Sequence, residues 1–221
     1  MSCLLYYITD RTQFPGSEAG SLRAVVGKIA EAAAAGVDYI QLREKDLSGR
    51  ELETLASSAV RAIREQRASN DQWPPARLLI NSRSDVALAT GTDGVHLRGE
   101  DISVEDVRSV WAQVQARSQQ YSARSPIVAV SCHTPADVIR AEAEGSDFTV
   151  FAPVFEKQGR SPVGLESLRQ ACRVKIPVLA LGGVTLENAA ACLEAGAAGI
   201  AGIRIFQENP IADVVRSLRR P

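Results

Sequence analysis

The chain has 221 residues, 45% of them hydrophobic, and a formal net charge of −1, the balance of an ordinary globular protein rather than a disordered one. With 25 Lys+Arg against 26 Asp+Glu, no basic excess points to nucleic acid or an anionic membrane as partner. Cys3, Cys132, Cys172 and Cys192 form no CxxC pair, which argues against a zinc site, and scattered thiols suit a reducing, cytoplasmic compartment.

Taken in order, Leu4 to Thr9 is apolar and rich in β-branched and aromatic residues, a first strand, too short for a signal peptide or a membrane span. A polar loop, Asp10 to Gly20, leads to a helix expected over Ser21–Ala35 and ended by Gly36. Val37–Leu42 reads as the second strand. Ser48 then caps a helix to Arg64, with Glu51 completing a capping box, and Arg67–Pro75 is a polar loop. Strands follow at Leu78–Asn81 and Gly94–Leu97, separated by a short helix at Asp85–Thr90. Ser103 opens a helix to about Ala116, and Gln119–Pro126 reads as a surface insertion. Ile127–Ser131 is a strand, Pro135–Ala143 a helix with Pro in its first turn, and Phe148–Phe151 a strand. The loop Glu156–Val163 has the Gly and polar content of a mobile lid. A helix near Leu165–Arg173 precedes PVLALGGV, then TLENAAACLEAGAAG, then IAGIRI, which read as strand, helix, strand; Ile211–Arg219 closes the chain as a helix.

Eight strand–helix units make a (β/α)8 TIM barrel, one domain over residues 1–221. The segments AAAAGVD, ALATGTD, AEAEGSD and LEAGAAG place glycines at 36, 91, 145 and 196, at spacings of 55, 54 and 51 residues, or two βα units each. A doubly wound open sheet is the alternative, but no GxGxxG or GxxxxGK[ST] follows the first strand.

In such a barrel the chemistry sits at the C-terminal strand ends. The polar residues expected there are Thr9 and Asp10; Gln41, Arg43 and Lys45, which share one face while Leu42 and Glu44 take the other; Asn81, Ser82 and Arg83; Glu100 and Asp101; Ser131, Cys132 and His133; and Lys157 and Arg160. The last two strands end in Gly182-Gly183 and in Gly202-Ile203-Arg204. Two such tips side by side suit an anion, although tight turning alone also explains the glycines. The cations and backbone amides suit phosphate or diphosphate, and the carboxylates could hold Mg2+. His133, at a strand end, is a candidate acid or base. His96 reads as packed within the barrel wall, Asp101 as either a metal ligand or a helix cap, and Cys132 as an apolar filler.

YYITDR, QLREKDLSGREL, LLINSRSDVALATGTDGVHLRGEDIS, VSCHTPADV, DFTVFAPVFE, GLESL and PVLALGGVTLENAAACLEAGAAGIAGIR, in that order, resemble thiamine-phosphate synthase and its relative TenI, the thiazole tautomerase, from about Leu5 to Phe206. The resemblance implies a (β/α)8 barrel. For the synthase branch it implies coupling of hydroxymethylpyrimidine diphosphate to hydroxyethylthiazole phosphate, with release of diphosphate and a need for Mg2+. Arg43 and Lys45 match residues facing the diphosphate; Gln41 and Asn81 match pyrimidine-diphosphate contacts. Asp101 matches one Mg2+ ligand, and Ser131 a serine near the pyrimidine. Gly183, Ile203 and Arg204 match the backbone cradle of the thiazole phosphate.

Three departures divide the expectations. The synthase pattern Asn-Asp, whose Asp is the second Mg2+ ligand, is here Asn81-Ser82. Thr-x-Thr/Ser-Lys is here Lys157 to Arg160, so Arg160 keeps the charge without the hydroxyls, and HLGQxD is here His96 to Asp101. These changes are those of a TenI-type member, in which a histidine matching His133 moves a proton on the thiazole carboxylate phosphate without metal. A non-catalytic phosphate-binding relative is the third expectation. The partners implied are small phosphorylated pyrimidine and thiazole compounds, with a homodimer left open.

Overall fold

A computed structural model describes residues 3–69, 73–117, 124–156 and 161–219. Eight parallel strands close in sequence order into a barrel, β1 pairing with β8. The first half runs β1 (Leu4–Ile8), α1 (Glu18–Ala35), β2 (Tyr39–Leu42), α2 (Gly49–Ser69), β3 (Arg77–Asn81), α3 (Ser84–Thr90), β4 (Gly94–Leu97) and α4 (Val104–Arg117). The second runs β5 (Ile127–Cys132), α5 (Pro135–Ala143), β6 (Phe148–Phe151), α6 (Gly164–Ala171), β7 (Val178–Ala180), α7 (Ala189–Glu194), β8 (Gly199–Gly202), α8 (Arg204–Gln207) and α9 (Ile211–Leu218). No helix among the described residues is long and apolar enough to cross a membrane.

The alternation of strand side chains builds two apolar layers. Leu5 and Tyr7, Ile40 and Leu42, and Leu78 and Ile80 face outward, against the helices. On α2, Leu52, Leu55, Ala56, Ala59 and Ile63 recur at helical spacing and are buried there. Tyr6, Ile8, Leu79, Ala129, Phe148, Val150, Leu179 and Ala201 face inward and fill the lumen. Tyr6 meets Phe148 edge-on, ring centroids 5.4 Å apart, and Tyr39 packs on Phe148 at 4.6 Å. This aromatic plug closes the lower barrel, so a cavity can open only at the upper mouth.

The sequence echo has a structural cause. Gly36, Gly91, Gly145 and Gly196 all take left-handed φ, at +90°, +64°, +79° and +103°, turning the chain from a helix into an even-numbered strand. In the first three repeats an Asp follows two residues later. Asp38, Asp93 and Asp147 accept the backbone N–H of Leu5, Leu78 and Val128 at 2.8, 2.9 and 2.7 Å. Each also pairs with an arginine: Arg219, Arg77 and Arg108. These carboxylates thus stitch odd strands to even ones at the barrel base. In the fourth repeat Ala198 stands at that place. Replacing Asp93 by Ala strands the Leu78 N–H and the Arg77 guanidinium, and we expect a loss of about 1–3 kcal/mol in denaturant unfolding.

Several boundaries differ from the sequence expectations. α1 begins at Glu18 because Ser17, not a later residue, caps it, its side chain accepting from Gly20 N–H. The Ser48–Glu51 capping box forms as expected, but α2 runs on to Ser69. Thr185 to Asn188 is a turn rather than helix. Thr185 N–H donates to Asn188 Oδ1, and Asn188 Nδ2 donates to the Gly183 carbonyl. A further short helix, α8, follows β8 where the sequence pattern marks none. Much of the expected insertion and of the expected lid lies outside the described residues.

Candidate active site at the barrel mouth

The tips of β1 and β2 are locked together. The buried Thr9 hydroxyl donates to Glu44 Oε1 at 2.6 Å and accepts the Arg43 N–H at 3.0 Å, while Arg11 N–H donates to Glu44 Oε2. Glu44 is therefore held on the outer side with Leu42, and Gln41, Arg43 and Lys45 line the cavity, as the alternation requires. Burial pushes the Glu44 carboxyl up, opposed by its hydrogen bonds to Thr9 and Arg11.

From Gln41 a polar ladder crosses the mouth. Gln41 Nε2 donates to Asn81 Oδ1 at 2.9 Å, and Asn81 Nδ2 donates to Ser82 Oγ at 3.1 Å. Ser82 in turn hydrogen-bonds Asp101. Asp101 also accepts the Arg98 N–H at 2.7 Å and Arg98 Nη2 at 3.0 Å. Burial raises the Asp101 carboxyl pKa, but the bonds from Arg98 and Ser82 outweigh this and hold it below the usual range. Asp101 is thus neither the cap of α4 nor an open ligand: it orients Arg98, whose side chain lines the cavity. At the place the resemblance assigns to Mg2+ there is one carboxylate, already ion-paired, and a serine. Mg2+ wants several hard oxygen ligands in octahedral array, and this donor set does not fit it well. No group of three or more His, Cys, Asp or Glu side chains suited to a metal occurs among the described residues.

His133 lies at the rim of β5. Its Nδ1 meets the Ala152 carbonyl at 2.6 Å; a carbonyl only accepts, so Nδ1 carries a proton, and of the two neutral tautomers this is the one with its lone pair on Nε2. His96, expected inside the wall, instead points into the lumen. It contacts Tyr6 Oη through Nδ1 at 3.0 Å and Ser131 Oγ through Nε2 at 2.7 Å.

Opposite the cationic wall, Gly182, Gly183, Gly202, Ile203 and Arg204 line the same cavity of about 810 Å³. The Gly183 and Ile203 N–H groups have no protein acceptor among the described residues, so this edge presents donors to an anion. The glycines have a second reason: a Cβ on Gly182 would sit 2.6 Å from Pro153 Cα, and one on Gly183 2.8 Å from the Glu156 carbonyl oxygen.

The structure thus gathers Gln41, Arg43, Lys45, Asn81, Ser131, His133, Gly182, Gly183, Gly202, Ile203 and Arg204 around one cavity. Arg83 is a correction: it turns outward to chelate Asp85, at 2.8 and 2.6 Å, and does not line the cavity. Lys157 and Arg160 lie outside the described residues. Cys132 is an inert filler, buried, with its thiol pushed up by burial to about 12. Sequence reasoning missed Arg98 and the inward turn of His96. The signal for the second was legible, since His96 alternates with Val95 and Leu97, both buried on the outer face.

A closed eight-stranded parallel barrel with polar side chains and glycine tips around one mouth defines a (β/α)8-barrel protein of the enzyme-like kind. Within that class the chain belongs to the thiamine monophosphate synthase family, whose sequence profile matches residues 5–206. A protein of Aquifex aeolicus provisionally named thiamine-phosphate synthase 2 is 38% identical over 92% of this chain and 97% of its own. Thiamine-phosphate synthase of Methanoculleus marisnigri is 34% identical over 97% of this chain and 93% of its own. The solved thiamine phosphate pyrophosphorylase of Pyrococcus furiosus superposes with a TM-score of 0.76 at 30% identity, over 98% of this chain and 93% of its own.

Proposed function

We propose that the protein is a thiamine-biosynthetic transferase that joins hydroxymethylpyrimidine diphosphate to hydroxyethylthiazole phosphate. The observation that carries this reading is the two-sided cavity, with Arg43, Lys45 and Arg98 on one wall and the Gly183–Ile203 amides on the other. One wall takes a diphosphate, the other a monophosphate, and the organic parts meet between them.

The pyrimidine methylene C–O bond breaks, and both its electrons leave with the diphosphate. The thiazole nitrogen lone pair then forms the new C–N bond, giving a thiazolium product with no proton to remove. Arg43 and Lys45 stabilise the charge that grows on the leaving oxygens, and Arg98, oriented by Asp101, adds a third cation. Gln41 and Asn81 hold each other across the mouth and orient the pyrimidine end. The glycine tips fix the thiazole phosphate so that the nitrogen lies near the electrophilic carbon. Mixing the two substrates should release one diphosphate per thiamine phosphate formed; absence of both products ends this reading.

The metal question has its own test. Aspartate tolerates left-handed φ better than most residues, and Ser82 sits at φ +60°. Ser82→Asp adds the missing carboxylate, and we expect Mg2+ affinity to rise at least ~10-fold by calorimetry. If Mg2+ binds the variant no better than the parent, the placement of Ser82 beside a metal position is wrong.

A second reading is supported by one observation, the Nδ1–H of His133 bound to Ala152 with Nε2 left as a base. In this reading the protein is a metal-independent thiazole tautomerase. Double-bond migration in the thiazole carboxylate phosphate, abolished in His133→Ala, would favour it over coupling.

A further inference from the structure

The Tyr6–His96–Ser131 chain lies beneath the cavity and takes no part in the mechanism above. Tyr6 and His96 are buried, at 0% and 2% exposure, and Ser131, bonded to His96 Nε2, lines the cavity beside it. Hydrogen-bond bookkeeping fixes the direction of the chain. The Tyr6 hydroxyl sits in an apolar plug, and His96 Nδ1 is its one hydrogen-bond partner among the described residues. If Nδ1 carried a proton, the Tyr6 O–H would have no acceptor, which costs about 1–3 kcal/mol for a buried donor. Tyr6 therefore donates and Nδ1 accepts. A neutral imidazole with an acceptor at Nδ1 carries its proton at Nε2, so Nε2–H donates to Ser131 Oγ at 2.7 Å. The Ser131 proton has no protein acceptor among the described residues and is left for a ligand. Burial keeps every member neutral: it pushes the Tyr6 phenol well above its usual value and His96 down to about 3.

We propose that Tyr6 and His96 are positioning residues that set the polarity of Ser131, making it a hydrogen-bond donor toward the cavity and so a reader of ligand acceptors. Resting on the proposed function, the acceptor is a ring-nitrogen lone pair of the pyrimidine, and the exocyclic amine, which can only donate, is turned away from Ser131. The relay would make Ser131 specific for one face of the heterocycle, where a lone serine hydroxyl rotates to suit either partner.

The tautomer is read first, in the protein without substrate, by correlating the ring nitrogens and carbon-bound protons of the histidines in 15N-labelled protein. With only two histidines in the chain, His133→Ala assigns the pair. The expected pattern for His96 is a neutral Nε2–H ring near neutral pH, and Tyr6→Phe should lose that single pattern. A merely structural role for Tyr6 would lower the melting temperature in Tyr6→Phe and leave the ring pattern intact. A dominant Nδ1–H form in the parent protein overturns the relay. Hydroxymethylpyrimidine diphosphate is then titrated beside two analogues, each with one ring nitrogen replaced by C–H. One analogue should bind ~5–10-fold more weakly than the parent compound, and Ser131→Ala should erase that difference. Equal binding of all three, or a difference that survives Ser131→Ala, overturns the assigned contact. If the parent compound itself does not bind, the ligand assignment falls together with the proposed function, and the tautomer measurement still upholds or overturns the relay by itself.

Discussion

Arg43→Gln should lower kcat/KM for coupling by about 10²–10³-fold, the range seen when one preorganised donor is removed from a developing anion. Thermal stability should stay level or rise. The Arg43 guanidinium is largely buried, and desolvation, opposed by Asp10 and Glu44 and joined by the like charge of Arg98, disfavours its cation. Among the described residues no hydrogen bond ties the guanidinium down; only the Arg43 backbone N–H is bound, donating to Thr9 Oγ1. A desolvated cation with no hydrogen-bond partner costs the empty protein stability and is relieved by an anion, so removing it separates function from fold. Arg43→Lys should recover only part of the loss, since an ammonium cannot make the two parallel bonds of a guanidinium to a phosphate. Steady-state kinetics beside a melting curve checks both halves. A variant that loses activity and stability together would mark Arg43 as structural.

The place of Arg43 is legible in the sequence for a geometric reason. Strand alternation sends Gln41, Arg43 and Lys45 to one side wherever a strand end runs straight into a mouth, and the outward anchoring of Glu44 by Thr9 keeps that register past the last ladder bond. The same logic recovered the four turn glycines and the barrel they punctuate. It failed where the outcome depends on which partner captures a side chain, whether that partner is near in sequence or far. Arg98 follows the end of β4, but neither its place in the cavity nor its pairing with Asp101 follows from spacing, and a carboxylate there reads equally as a metal ligand. Arg83 shares the end of β3 with Asn81, yet Asp85 two residues on captures it at the surface, a local competition that spacing does not rank. The inward turn of His96 is legible from its alternation with Val95 and Leu97, but its partners are not: Tyr6 is 90 residues away and Ser131 35.

The glycine pair at the end of β7 offers the other large effect, and it separates the turn reading from the anion reading of these residues. Gly183 holds φ +65°, and a Cβ there would lie 2.8 Å from both the Glu156 carbonyl oxygen and Phe155 Cβ. Gly183→Ala therefore adds left-handed strain of roughly 1–2 kcal/mol and forces apart the loops after β6 and β7. Gly16 is the control: its φ is +113° with open space around the position, and it does not line the cavity. Gly16→Ala should cost stability through strain alone and leave ligand affinity unchanged. Gly183→Ala should cost more stability. If its N–H serves an anion, the affinity for hydroxyethylthiazole phosphate should also fall at least ~10-fold, the worth of one charge-assisted hydrogen bond. The dephosphorylated thiazole alcohol, measured in parallel, should lose little, because the damage is confined to the phosphate end. Equal loss for both compounds would mean that Gly183 only turns the chain, and that the phosphate is held elsewhere in the mouth.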